Sequence, residues 1–137
     1  ATAETIVDGW LRTGDMAKMD GDDFIYIVDR IKDMVLRGGE NIYCAEVESA
    51  IFDHPDVSEC TVFGVPDDRL GEEVGAAVFV GNGKLDPTEL REHCRNLMAS
   101  FKVPKYVWFM DEPLPRNASG KFLKRELREK LSINDSV

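Results

Sequence analysis

The residues best suited to chemistry gather in Pro115-Arg116-Asn117-Ala118-Ser119-Gly120-Lys121-Phe122-Leu123-Lys124-Arg125. A proline-flanked loop turns at Ser119-Gly120 and presents Lys121 at the mouth of a predicted helix, in which Leu123, Leu127 and Leu131 recur at i, i+4 and i+8. Gly120 allows a tight turn without a Cβ penalty and leaves room for another surface to approach. A lysine in this position is a flexible point charge that can be delivered to an anion. On its own, Ser-Gly-Lys reads as a solvated lysine at a helix start. A phosphate-cradling P-loop is excluded, because Pro115 stands where its first glycine is needed and Phe122 where its hydroxyl is needed.

A second candidate is Gly38-Gly39-Glu40-Asn41, too flexible for a strand interior and suited either to a plain turn or to a backbone that approaches a ligand closely. Neither it nor Gly81-Asn82-Gly83 completes the dinucleotide pattern Gly-x-Gly-x-x-Gly. Cys44, Cys60 and Cys94 are odd in number and widely spaced, so neither a zinc site nor a disulfide framework follows, and no metal ligands are assigned. Buried thiols in a reducing cytoplasm are the expectation. His54, followed by Pro55, ends a helix and reads as structural. His93 beside Cys94 is no dyad, since adjacent helical residues point about 100° apart.

The elements that must position these residues follow from periodicity. Asp20-Gly21 between Met16–Met19 and Phe24–Val28 predicts a hairpin whose glycine takes the positive φ. Asp29-Arg30-Ile31-Lys32-Asp33 is a charged break before the apolar triplet Met34-Val35-Leu36. Ala45 to Asp53 reads as a helix burying Val47, Ala50 and Ile51. Strands are expected at Val57–Val65, Val74–Val80 and Tyr106–Met110. Asp86-Pro87-Thr88-Glu89 carries the signals of a helix start, and Leu90, His93, Cys94, Leu97 and Met98 share one face behind it. The expected class is α+β: an N-terminal β-hairpin, then a small mixed sheet of about three strands packed with three helices.

The chain has 137 residues and a net charge of −9. It is large enough to bury roughly two-thirds of its unfolded surface as one domain. The negative balance argues against a general nucleic-acid or anionic-membrane binder. No apolar run has membrane-spanning length and no signal peptide is evident. Asn117-Ala118-Ser119 and Asn134-Asp135-Ser136 match the glycosylation sequon, accidentally in a cytoplasmic protein. The opening Ala1-Thr2-Ala3-Glu4 lacks an initiator methionine, and the chain is expected to be part of something larger.

Three stretches, correctly ordered and spaced, carry a resemblance. Gly9-Trp10-Leu11-Arg12-Thr13-Gly14-Asp15 resembles a Gly-Trp-x-x-Thr-Gly-Asp motif; Asp29–Asp33 with Gly38–Ile42 and Glu46-Val47-Glu48 resembles Asp-Arg-x-Lys-Asp…Gly-Glu-Asn-Ile; Pro115–Arg125 resembles Pro-Arg-x-x-Ser-Gly-Lys-x-x-x-Arg. Together they cover roughly residues 9 to 130 and are similar to the C-terminal part of the AMP-forming adenylating superfamily: acyl-CoA synthetases, peptide-synthetase adenylation domains and luciferases. Cys44 departs from the pattern, since a proline often follows Asn-Ile-x, and is expected to alter loop stiffness rather than chemistry.

The resemblance implies that Asp15 and Arg30 contact the nucleotide, that Lys32 is a hinge, and that Gly38, Gly39 and Glu40 line a channel for the pantetheine arm of CoA. It implies that Lys121 bridges the carboxylate substrate and the phosphates during adenylation. It further implies residues 1–30 ending a large N-terminal domain, 31–131 as a mobile C-terminal domain, and 132–137 as a tail. The co-substrates would be ATP with Mg2+, CoA, and a fatty or other simple carboxylic acid; the partner would be the large domain of the same chain. No phosphate loop or acyl pocket is found here, so the 137 residues alone are expected to be inactive. A carrier-protein acceptor, oxygen as in luciferase, or a non-catalytic acidic interaction module are the competing readings; Gly38-Gly39-Glu40-Asn41 leans towards CoA.

Overall fold

The structure is a computed structural model and describes residues 5–81 and 83–137. Two short antiparallel ladders come first: β1 (Ile6–Val7) with β2 (Trp10–Leu11), and β3 (Asp15–Met19) with β4 (Ile25–Arg30). The second is the hairpin signalled by Asp20-Gly21, but the positive φ falls on Asp23, at 65°, and not on Gly21. The Asp20 carboxylate organises the loop instead. It accepts from the backbone N–H of Asp22 and Phe24 and from the Tyr26 hydroxyl, as short acidic side chains do in turns. Met19, Phe24, Ile25, Tyr26 and Ile27 are all exposed, so neither face of the hairpin's outer half is covered within the described residues, while Met16, Val28 and Asp29 near its base are half-buried.

A 3-10 turn at Ile31–Asp33 leads into a five-stranded mixed sheet. Its strands are β5 (Val35–Arg37), β6 (Glu40–Ile42), β7 (Glu59–Asp67), β8 (Gly71–Phe79) and β9 (Tyr106–Met110). β7 and β8 pair antiparallel along their full length, from Glu59 opposite Phe79 to Asp67 opposite Gly71. The other edge of β8 takes β5 at Gly71 and then β9, parallel, from Gly75 to Phe79. The α+β class, the hairpin and the mixed sheet match the sequence reading. The sheet exceeds about three strands because β5 and β6 pair across Gly38-Gly39. Runs of three residues are too short for alternation to declare itself.

Three α-helices lie among the described residues: α1 (Cys44–Phe52), α2 (Pro87–Leu97) and α3 (Lys124–Lys130). α2 starts as its sequence predicts, with Pro87 in the first turn and Asp86 Oδ1 accepting from Thr88 N–H at 2.8 Å. Leu97, expected on its buried face, is exposed, because the helix ends there and Met98 is extended. α1 begins at Cys44, the site of the missing proline. Its thiol donates to the Asp33 carbonyl, tying the helix start to the 3-10 turn.

Alternate residues of the central strands feed two cores. Cys60, Val62, Val74, Ala76, Val78 and Val107 pack with Val47 and Ile51 of α1 and Leu90 and Cys94 of α2. Phe63, Val65, Ala77 and Trp108 pack with Leu127 of α3 on the opposite face. The strands are buried on both sides, which explains why they read as continuous apolar runs. Residues 132–137 dock on this body: Trp108 Nε1 donates to Ser132 O at 2.8 Å and Val137 N–H to Val107 O at 2.9 Å.

All three cysteines are free thiols within the first core. Burial pushes Cys44 and Cys60 up to about 12 and Cys94 to about 11. The thiolate is the reactive form, so no cysteine should alkylate in the folded protein at about pH 8; rapid labelling before denaturation would contradict this. The folded values lie above the ordinary 9.0, so their contribution to stability is complete below that pH and is lost as pH rises towards the folded values. The unfolding midpoint should fall across that window.

Candidate functional site

Lys121 sits on a closed loop, three residues before α3 rather than at its mouth. Arg116 and Phe122 form an antiparallel bridge, and Asn117 N–H donates to Lys121 O at 2.9 Å. Asn117 Oδ1 accepts from Ser119 N–H, Ser119 Oγ and Lys121 N–H at 3.0, 2.8 and 2.9 Å. Gly120 closes the turn at φ 81°, and a Cβ there would meet nothing within 4 Å. The Lys121 main chain is thus held at both its N–H and its C=O, while the residue itself is exposed.

Lys121 shares an open hollow of about 360 Å³ with Asp33, Glu48 and Lys124. Lys124 Nζ lies 2.9 Å from Glu48 Oε1, which also accepts from Val62 N–H at 2.8 Å and Thr61 Oγ1 at 3.2 Å. Burial works to lower the Lys124 pKa, but the Glu48 carboxylate, helped by Asp33, holds it above the ordinary lysine value. Lys124 therefore remains a cation that joins α3 to α1 beside the lysine loop.

Gly38 and Gly39 form a two-residue hairpin turn between Arg37 and Glu40, with φ of 57° and 92°. A turn with positive φ at both central positions explains the pair of glycines. Its base is anchored to the β7–β8 turn. Gly38 N–H donates to Leu70 O at 2.8 Å, and Leu36 N–H to Glu72 Oε2 at 2.9 Å. Arg37 grips Glu73 through Nε at 2.6 Å and Nη2 at 3.2 Å. A Cβ on Gly38 would stand 3.0 Å from Leu70 Cδ2, whereas one on Gly39 meets nothing within 4 Å. Gly38 and Gly39 are the exposed apex of this turn, and Glu40, opening β6 beside them, is exposed too.

Asp15 and Arg30 face each other across β3–β4, with Arg30 Nε 3.3 Å from Asp15 Oδ1. Asp15 Oδ2 has no part in that closest contact, and Thr13 Oγ1 accepts from the Asp15 N–H at 3.2 Å. Lys32 is exposed at the centre of the 3-10 turn, which Ile31 N–H fastens to Gly14 O at 2.9 Å. Gly14, Arg30, Lys32 and Asp33 line a hollow of about 290 Å³, and Asp33 also lines the Lys121 hollow. The fold therefore brings Asp15, Arg30 and Lys32 together and sets Lys121 in the next hollow. It does not bring Gly38-Gly39-Glu40 to them. The lysine loop is held at the first residue of β7, Glu59, and the glycine turn lies just beyond its last, Asp67. Eight residue steps of strand separate those ends by roughly 27 Å.

Several residues that shape the site were not singled out from the sequence. Asn117 could have been, because an asparagine two residues before Ser119 is a turn former, though its sequon drew attention to a different property. Glu59 and Glu73 give no local signal, since their partners lie 57 and 36 positions away; Glu48 falls in the Glu46-Val47-Glu48 stretch, but nothing local points to Lys124, 76 positions on. Among the described residues no group of three or more His, Cys, Asp or Glu could hold a metal ion, and no helix is long and apolar enough to cross a membrane.

Comparison with known proteins identifies the family. A model of the AMP-binding enzyme C-terminal domain matches residues 46–121. The chain is 47% identical over 129 residues to a 2-succinylbenzoate–CoA ligase of Bacillus cereus, covering 94% of this chain and 26% of that one. It is 50% identical over 132 residues to a feruloyl-CoA synthase of Amycolatopsis, covering 95% and 26%. Among solved structures, an o-succinylbenzoate CoA synthetase from Bacillus subtilis in complex with its acyl-adenylate intermediate superposes with a TM-score of 0.84 at 38% identity, over 91% of this chain and 25% of that one. The chain thus spans about a quarter of the length of these relatives. With that match spanning Glu48, Glu59 and Glu73 and ending at Lys121, the chain belongs to the C-terminal domain family of AMP-binding enzymes, and its relatives are acyl-CoA ligases.

Proposed function

We propose that this chain is the C-terminal part of an ATP-dependent, AMP-forming acyl-CoA ligase. In the first half-reaction a carboxylate oxygen attacks the α-phosphate of MgATP, giving an acyl-adenylate and pyrophosphate. In the second, the CoA thiol loses its proton, its sulfur bonds to the acyl carbon, and AMP leaves. Lys121 supplies the charge that follows the carboxylate and phosphate oxygens in the first step. Asp15 accepts from the ribose hydroxyls with its ionised oxygens, and Arg30, paired to it, contacts the same nucleotide. Gly38 and Gly39 at the apex of the glycine turn, with Glu40 beside them, line the path of the thiol arm in the second step. The acid is a carboxylic acid of the fatty or aromatic type, and the work is cytoplasmic, where ATP and CoA are supplied.

The observation that carries this reading is the placing of the two loops at opposite ends of one hairpin, β7–β8. A rigid body so built cannot present both to one small site at once. Rotation about Lys32, in the turn between β4 and β5, would deliver them in succession. Residues 1–30 would then stay with a large preceding domain, residues 31–131 would move, and residues 132–137 would travel with them as a tail. The exposed apolar residues of the β3–β4 hairpin suit a surface that such a domain covers.

The test is ATP–pyrophosphate exchange and CoA thioester formation with a panel of carboxylic acids. The whole polypeptide should support both, with AMP as product, and residues 1–137 alone should support neither. ADP as product, or turnover by residues 1–137 alone, would overturn the assignment. Thioester formation on a carrier protein but never on CoA would move the chain to the carrier-loading enzymes.

A further inference from the structure

The two loops that the proposed ligase alternates are each held by a different glutamate on β7–β8. Glu59 uses both carboxylate oxygens on the lysine loop: Oε2 accepts from Leu114 N–H at 2.8 Å and Oε1 faces Arg116 Nη2 at 2.9 Å. Arg116 extends that grip to the neighbours of Lys121. Its Nη1 donates to Gly120 O at 3.0 Å, and its guanidinium lies 4.0 Å from the Phe122 ring centroid. Glu73, only 4% exposed, fixes the other loop. Its oxygens take the Arg37 fork, with Lys105 Nζ 3.5 Å away, and Arg37 leads directly into Gly38-Gly39.

We infer that Glu59 and Glu73 are positioning residues, each dedicated to one loop and hence to one half-reaction; this rests on the ligase reading above. Glu73 is too buried to meet substrate and acts through Arg37. Glu59 acts through Arg116. Both contacts are charge-assisted, and an arginine gripped by a carboxylate has few alternative geometries. The cross-strand register places Glu59 opposite Phe79 and Glu73 opposite Val65. Six residue steps, about 20 Å, separate the two anchors along the strands, so loosening one leaves the other intact.

The experiment uses Glu59→Gln and Glu73→Gln in the whole polypeptide. Glutamine keeps the shape but sets an amide NH2 against a donor, the Arg37 guanidinium at Glu73 and either the Arg116 guanidinium or the Leu114 N–H at Glu59. A misplacement of about 1 Å can cost about a hundredfold in rate. Glu59→Gln should therefore slow ATP–pyrophosphate exchange by about tenfold or more, while thioester formation from supplied acyl-adenylate stays near wild type. Glu73→Gln should do the reverse. Arg116→Ala and Arg37→Ala should each copy their partner, and each double variant should lose little beyond its single variants. Amide hydrogen exchange should quicken at Asn117, Gly120 and Lys121 in Glu59→Gln, and at Gly38 in Glu73→Gln.

Equal losses in both half-reactions would overturn the assignment, and so would unchanged kinetics and exchange at a native unfolding midpoint. If Glu73→Gln fails to fold, Arg37→Lys, which keeps the charge but not the fork, takes its place. If the wild-type polypeptide shows no adenylation, the ligase reading fails by itself. The exchange measurements then decide whether the two anchors exist.

Discussion

Lys121→Ala in the whole enzyme should slow acyl-adenylate formation by on the order of 10²–10³, the usual loss when one preorganised electrostatic stabiliser is removed. Thioester formation from a supplied acyl-adenylate should be largely spared. The loop itself explains why the loss should be electrostatic and not structural. Its internal bonds at this position use the Lys121 N–H, which Asn117 Oδ1 accepts, and the Lys121 C=O, which accepts from Asn117 N–H. Alanine keeps both, along with the left-handed Gly120 before it. The variant should therefore retain the wild-type unfolding midpoint. Equal losses in both half-reactions would make Lys121 a structural residue, and undiminished pyrophosphate exchange would remove it from the adenylation site.

The same loop shows what a sequence can and cannot disclose. Ser119-Gly120-Lys121 announces a turn and an available cation through local chemistry alone, and the structure keeps both. What immobilises the turn comes from elsewhere in the chain: Glu59 through Arg116, and Glu48 through Lys124. Nothing near Glu59 distinguishes it from any other glutamate at a strand start. Asp86-Pro87 and the apolar runs of β7 and β8 were predictable for the opposite reason, because capping and double-sided burial act within a few residues. The β5–β6 hairpin lay between these cases. Its two glycines marked a turn, but three-residue arms carry too little pattern to be read as strands. Their pairing is secured from outside, by Leu36 N–H on Glu72 and Arg37 on Glu73. Asp23 is another local decision that sequence reasoning misplaced. The Asp20 carboxylate sets the loop, and the positive φ moves two residues beyond Gly21.

Gly39→Leu should have the complementary effect to Lys121→Ala, with normal pyrophosphate release and a failure to pass the acyl group to CoA. Two physical causes are available, and the structure allows them to be separated. The first is backbone strain. Gly39 has φ of 92°, a conformation that residues with a Cβ adopt at a cost of about 1–3 kcal/mol. Any substitution carries that cost, and because Gly38 N–H is tied to Leu70 O, the turn cannot relax freely. The second is obstruction. A Cβ on Gly39 meets no neighbour within 4 Å, so a longer side chain stands outside the fold, where the thiol arm is proposed to run. Gly39→Ala carries nearly the same strain with little protrusion. If the channel reading holds, alanine should retain most CoA transfer and leucine should lose it by on the order of 10², the scale set by disturbing a reacting geometry. Equal losses in Ala and Leu would assign the effect to the turn's conformation. Undiminished transfer in Gly39→Leu, at an unchanged unfolding midpoint, would leave Gly38-Gly39 as a hairpin turn and nothing more. Adenylation must be measured in the same preparations, because Lys121 is anchored at the far end of β7 and should not register a change at Gly39. A matching fall in pyrophosphate exchange would mean that the two ends of the hairpin are not independent, and the division of labour between the loops would have to be abandoned.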